Sequence, residues 1–205
     1  MENTINDMPP MAEQLTERCV AHVLSRFGFE LDYTEETLGV VDQAIDAVLL
    51  EEGEHTRLPP AHERRTHLVQ LLASSYGVYF GEVLRRTYAC HWHMPSEDPA
   101  QWTIEFEEVF LRINPVCAAA EALLGAPIDG FTPVLSTAPN DAEVLAERLD
   151  ASPPVFEDQF YTLTTRVDVI QISLDYLRER QKTGKNPVPS YTHEDYEHIF
   201  AEENA

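Results

Sequence analysis

The chain has 205 residues, enough for one domain with a substantial core, and its 43% hydrophobic content is that of a folded globular protein. Its 36 acidic and 14 basic residues give a formal net charge of −22. That field repels phosphate backbones and anionic lipid, which excludes nucleic acid and membrane surfaces as expected partners and favours a basic protein instead.

Three cysteines, Cys19, Cys90 and Cys117, form no pairing pattern, as in a reducing cytoplasm. The opening Met-Glu-Asn-Thr, soon followed by Pro9 and Pro10, has no basic start and apolar core, so no secretory leader is expected. Residues 1–10 read as disordered, 11–182 as a single globular domain, and 183–205 as a linker with a short C-terminal helix. The expected fold class is α+β and predominantly helical.

Leu15, Cys19, Val20, Val23, Leu24 and Phe27 recur at helical spacing over Met11–Phe27, and Gly28 is a natural stop. Thr34, followed by Glu35 and Glu36, reads as the start of a second helix with acids in its first turn. Leu38, Val41, Ile45, Val48 and Leu49 give that helix its buried stripe, Gly53 ends it, and Pro59-Pro60 separates it from the next.

The third helix, about 61–88, is the organising element. Leu68, Val69, Leu71, Leu72, Ala73, Tyr76, Val78, Tyr79, Phe80, Val83 and Leu84 cover nearly its whole circumference, the pattern of a helix enclosed by others. Gln70, Ser74, Ser75 and Glu82 argue against a membrane span over Leu68–Leu84. Gly77 and Gly81 stand four apart in line with Ala73, a groove for a closely crossing helix. The second long helix, about 154–181, carries Phe156, Phe160, Leu163, Val167, Ile170, Leu174 and Leu177 and is the expected occupant.

Between these helices the period changes. Residues 89–113 read as a small antiparallel sheet of two or three strands, built from Ala89–His93, Trp102–Phe106 and Val109–Ile113. Thr103, Glu105 and Glu107 alternate with Trp102, Ile104 and Phe106, as in a half-buried strand. Asn114 and Pro115 are cap and first residue of a short helix ending at Gly125. Residues 126–139 read as irregular surface loop, Asp141–Leu149 as a helix, and Thr192–Glu202 as a last short helix.

Eight histidines invite a search for metal ligands. Cys90-His91-Trp92-His93 is the densest cluster, and on a strand His91 and His93 share a face as a ligand pair requires. No third or fourth ligand stands at a recognised spacing, so a structural role is favoured and no metal or cofactor is expected. His62 and His67 are five apart, about 140° around a helix, and cannot chelate together. His193 and His198 share that spacing in a segment expected to be an exposed tail. No phosphate loop, dinucleotide fingerprint or nucleophile elbow is present, so no catalytic residue is assigned.

Glu82 lies among apolar neighbours and must be paired or protonated if buried, with Arg85 and Arg86 in helical reach. The run Tyr76-Gly77-Val78-Tyr79-Phe80-Gly81-Glu82-Val83-Leu84-Arg85-Arg86, then Trp92 and Asn114-Pro115, resembles a family of uncharacterised bacterial proteins. Its mark is an aromatic-x-Gly-Glu helix with a following arginine, a tryptophan-containing strand and an Asn-Pro step. The segment before Trp92 lacks the glycines of that pattern. The resemblance implies a soluble α+β bacterial protein and brings no activity.

The expected function is a non-enzymatic, cytoplasmic, acidic interaction module for a basic protein, an immunity or inhibitor protein being one form of it. Residues 1–60 carry 13 acids against 3 arginines, a local net charge of −10. Tyr79, Glu82, Arg85, Arg86 and Trp92 are its candidate binding residues. The alternative is an enzyme or small-ligand-binding protein with a pocket around Tyr79, Glu82, His91 and His93.

Overall fold

The computed structural model describes residues 8–53, 61–129, 133–156, 159–183 and 190–203. The disorder expected before Met8, the Pro59-Pro60 break and the linker over 184–189 lie outside those residues. Pro10 already opens the first helix, α1 (Pro10–Phe27), which ends at Gly28. The φ of 75° at Gly28 is left-handed, and its N–H donates to Leu24 O at 2.9 Å. Thr34 gives no side-chain cap; its N–H and hydroxyl donate back to Asp32 Oδ1 at 3.1 and 2.7 Å. A 3-10 turn, Glu35–Thr37, then leads into α2 (Leu38–Gly53), which buries Leu38, Val41, Ile45 and Val48.

Helix α3 (Ala61–Thr87) is buried without interruption from Ser75 to Leu84. Its earlier half is not enclosed on all sides as expected, for Leu71 is 61% exposed. Among the described residues no helix is long and apolar enough to cross a membrane.

The sheet has four strands rather than two or three, all antiparallel and in sequence order: β1 (Cys90–His93), β2 (Thr103–Phe106), β3 (Leu111–Ile113) and β4 (Leu135–Thr137). Strand β4 falls in the expected surface loop. Three residues carry too little alternation to announce a strand; pairing with Leu111–Ile113 makes it one.

Helix α4 (Pro115–Leu124) is capped as expected, Asn114 Oδ1 accepting the Cys117 N–H at 2.8 Å. Helices α5 (Pro139–Asp150), α6 (Leu163–Thr183) and α7 (His193–Glu203) follow. Helix α6 starts at Leu163 and not at Pro154, and Phe156 and Phe160, expected on its stripe, are exposed outside it. The start is fixed from a distance. Asp42 on α2 accepts the N–H groups of Leu163 and Thr164 at 2.8 and 3.0 Å and the Thr164 hydroxyl at 2.8 Å, an anion on a helix N-terminus.

The occupant of the glycine groove is α4, not α6. A methyl group on Gly77 would lie 2.4 Å from Val116 Cα and 2.7 Å from Pro115 O, and one on Gly81 would lie 2.3 Å from the Trp92 ring. The two glycines therefore set how closely α4 and β1 approach α3. The C-terminal segment, expected outside the globular domain, also reaches the core. Tyr196 on α7 is 1% exposed, and its ring stacks on Phe110 with centroids 4.3 Å apart.

Candidate metal centre

Strand alternation divides the candidate residues between two faces of the sheet. Trp92 points to α3, where its Nε1 donates to Glu82 Oε1 at 2.7 Å. Glu82, fully buried, also accepts Arg85 Nε at 3.0 Å on Oε1 and Arg85 Nη2 at 2.8 Å on Oε2. The expected internal ion pair is therefore made by Arg85 alone, while Arg86 lies over the Tyr33 ring, 3.6 Å from its centroid. Tyr79 is buried too, its hydroxyl accepting the Tyr33 N–H at 3.0 Å and lying 2.7 Å from the Thr37 hydroxyl. Gly81, Glu82, Arg85, Trp92 and Pro115, residues of the aromatic-x-Gly-Glu pattern, meet in this one packing junction. Glu82 is tied into that junction and Tyr79 into the segment of Tyr33 and Thr37. His91 and His93 project from the face of β1 opposite to Trp92.

On that outer face His91 stands across from Glu105 and His93 across from Thr103, and Glu105 in turn faces Arg112 of β3. Glu105, expected on a solvent-facing side, is fully buried, because α7 lies over it. Its Oε2 accepts a hydrogen bond from His193 Nδ1 at 2.9 Å and lies 3.4 Å from His91 Nε2. Among the described residues its Oε1 has no hydrogen-bond partner, and neither has the buried Thr103 hydroxyl two residues earlier on the same face. A buried polar atom left unpaired costs about 1–3 kcal/mol, so two on one face call for a physical reason.

The imidazoles around Glu105 supply one. The His93 ring stacks on that of His193 with centroids 4.1 Å apart. A nitrogen of each, with a Glu105 oxygen, lies within 4.8 Å of the others. His193 thus leaves the exposed tail and stands, with Glu105 beside it, where a third candidate ligand was missing from the sequence. His91, half of the expected pair, is outside the trio. Two strand histidines share a face but sit two residues apart, and only His93 lies beneath the start of α7.

Comparison with family models, curated proteins and solved structures gives no match.

Two of the three groups are shifted toward the protonation state that a cation needs, and His193 is shifted away from it. Burial pushes Glu105 upward, but hydrogen bonds from His91 and His193 and the nearby imidazole charges outweigh it and hold the carboxyl below its ordinary value. The hydrogen bond to Glu105 raises His193 and favours its protonated form, so ligation there must displace a proton, while burial lowers His93 and favours the neutral ring with a lone pair to give. Two imidazoles and a carboxylate match zinc and its first-row neighbours, and three protein ligands leave a coordination position for solvent. His193 Nε2 lies 3.4 Å from Glu197 Oε1, the outer carboxylate that orients a metal-bound histidine. Thiolate ligation is excluded at this place, since Cys90 faces the other way, its Sγ 3.6 Å from Leu84 O, and burial drives its pKa upward.

Bringing the trio onto one ion requires contraction. Ligands about 2.0–2.1 Å from a tetrahedral ion stand about 3.4 Å apart, closer than the present spread. The imidazoles of His93 and His193 are only partly buried, so rotation of their side chains can supply the movement.

Proposed function

We propose that this protein binds a divalent transition metal of the zinc class through His93, Glu105 and His193. A single observation carries the reading: a fully buried glutamate with one unpaired oxygen, flanked by two imidazoles that reach it from different parts of the chain. An ion between them would satisfy Glu105 and draw on the His93 lone pair, whereas the His193–Glu105 ion pair alone leaves Oε1 unpaired. Free cysteines at positions 19, 90 and 117, all buried, fit a cytoplasmic setting.

The test is equilibrium dialysis of chelator-stripped protein against zinc and cobalt. Wild type should bind about one equivalent, and Glu105→Gln and His193→Ala should lose about tenfold or more in affinity. His67→Ala, on an exposed histidine far along α3, should bind as wild type does. Absence of saturable binding, or equal binding by all four proteins, contradicts the reading.

A second reading is compatible with the first: an acidic module for a basic protein partner, in the manner of an immunity or inhibitor protein. Several arginines are engaged within the molecule, Arg85 with Glu82, Arg166 with Glu121 at 2.7 Å and Arg180 with Asp141 at 2.8 Å. Glu13, Glu17, Glu30, Asp32 and Glu36 meanwhile stand exposed along α1 and the turn after it. Capture of a basic partner should weaken steeply as salt rises, and a low-salt capture that recovers none contradicts this reading.

A further inference from the structure

The proposed metal ligands come from two bodies of the fold. His93 and Glu105 lie on adjacent strands of the sheet, while His193 is the first residue of α7. Tyr196 and His193 both tie that helix to the sheet. Tyr196 places its hydroxyl at the β2–β3 turn, accepting the Leu111 N–H at 3.0 Å, with the carbonyl oxygens of Phe106 and Leu111 each 2.8 Å away. His193 contacts Glu105. No ion could be held by all three ligands with α7 away from the sheet.

Resting on the metal reading above, we infer that metal binding fastens the C-terminal helix to the sheet, so that α7 is the element that reports metal availability. The physical basis is linkage. A ligand that binds the docked form and not the undocked one favours docking by a factor of one plus its concentration over its dissociation constant, about a hundredfold at a hundred times that constant. The coupling is reciprocal: apparent metal affinity scales with the fraction of molecules in which α7 is docked, so a change that lowers this fraction weakens metal binding by the same factor. Undocking uncovers Glu105, the Phe110 ring and the turn backbone that Tyr196 now satisfies, an apolar and hydrogen-bonding face absent from the closed form.

The experiment is hydrogen exchange of the full chain, with zinc or with chelator, read on peptides covering 193–203. Zinc should slow exchange there by about tenfold or more in wild type and leave α4 unchanged, and Glu105→Gln should abolish the effect. Tyr196→Phe, which removes a hydroxyl and no ligand, should both speed α7 exchange and weaken cobalt binding measured by absorption. Cobalt bound at about one equivalent with α7 exchange unaltered by metal overturns the clasp and leaves the metal site standing. The same holds if Tyr196→Phe leaves α7 largely undocked in the metal-free protein without changing affinity. Absence of metal binding by wild type overturns both.

Discussion

His193 Nδ1 lies 2.9 Å from Glu105 Oε2, a contact made across 88 residues of chain. It joins the C-terminal helix to the second strand and brings His193 beside His93 and Glu105 as one candidate ligand set.

Glu105→Gln separates structure from ligation. The amide keeps the shape and can still accept from His193 but loses the ion pair, so the metal-free variant should fold with a loss of about 1–3 kcal/mol. Thermal melts with and without zinc should show a metal-induced rise in wild type and none in the variant. A rise of equal size in both places the ion elsewhere.

Two pH trends of opposite sign should separate the metal-free from the loaded protein. His193 is raised from its ordinary value of 6.5, so its contribution is complete below that value and fades as pH climbs through the raised one. Glu105 is lowered from 4.5, so its contribution is complete above that value and fades as pH falls through the lowered one. Without metal, protection of α7 should therefore be greatest between 4.5 and 6.5 and decline toward alkaline pH. With metal it should grow from about pH 6 to 8, because both imidazoles must be unprotonated to ligate. Exchange rates of α7 against pH, with and without zinc, check both.

The glycine seats give a graded series. Gly77→Leu should abolish folding, and Gly77→Ala should cost roughly 1–3 kcal/mol or more, because its methyl meets the Val116 backbone, which cannot rotate away. Gly39→Ala, within α2 and with nothing within 4 Å, should stabilise by about 0.4–1 kcal/mol. Urea midpoints test the ranking; a Gly77→Ala protein as stable as wild type would show that α3 and α4 do not cross so closely.

The thiols should be silent in the folded protein. Burial drives Cys19 and Cys90 upward and pushes Cys117 up to about 12, so thiolate is scarce at pH 8. A disulfide reagent should label none rapidly until denaturant is added and then all three.

Local signals carried much of this fold. Gly28 and Gly125 end their helices in left-handed conformations, and Asn114 with Pro115 starts α4, because each device acts within a few residues. Signals from afar did not show. Asp42 fixes the start of α6 from another helix, β4 exists by pairing, and the choice of α4 over α6 beside Gly77 is a tertiary one. The site follows the same division. A period of two placed His91 and His93 on one face, and it also placed Glu105 on an alternating polar face. That polar residues on a strand face solvent is a rule which fails once another element covers them, and nothing near Glu105 in sequence announces α7.

X-ray absorption at the zinc edge of the loaded protein reads the ligands themselves. Two imidazoles and oxygen at about 2.0–2.1 Å are expected, with the imidazole signal halved in His193→Ala. A shell of oxygen alone, or sulfur at about 2.3 Å, would contradict the proposed site.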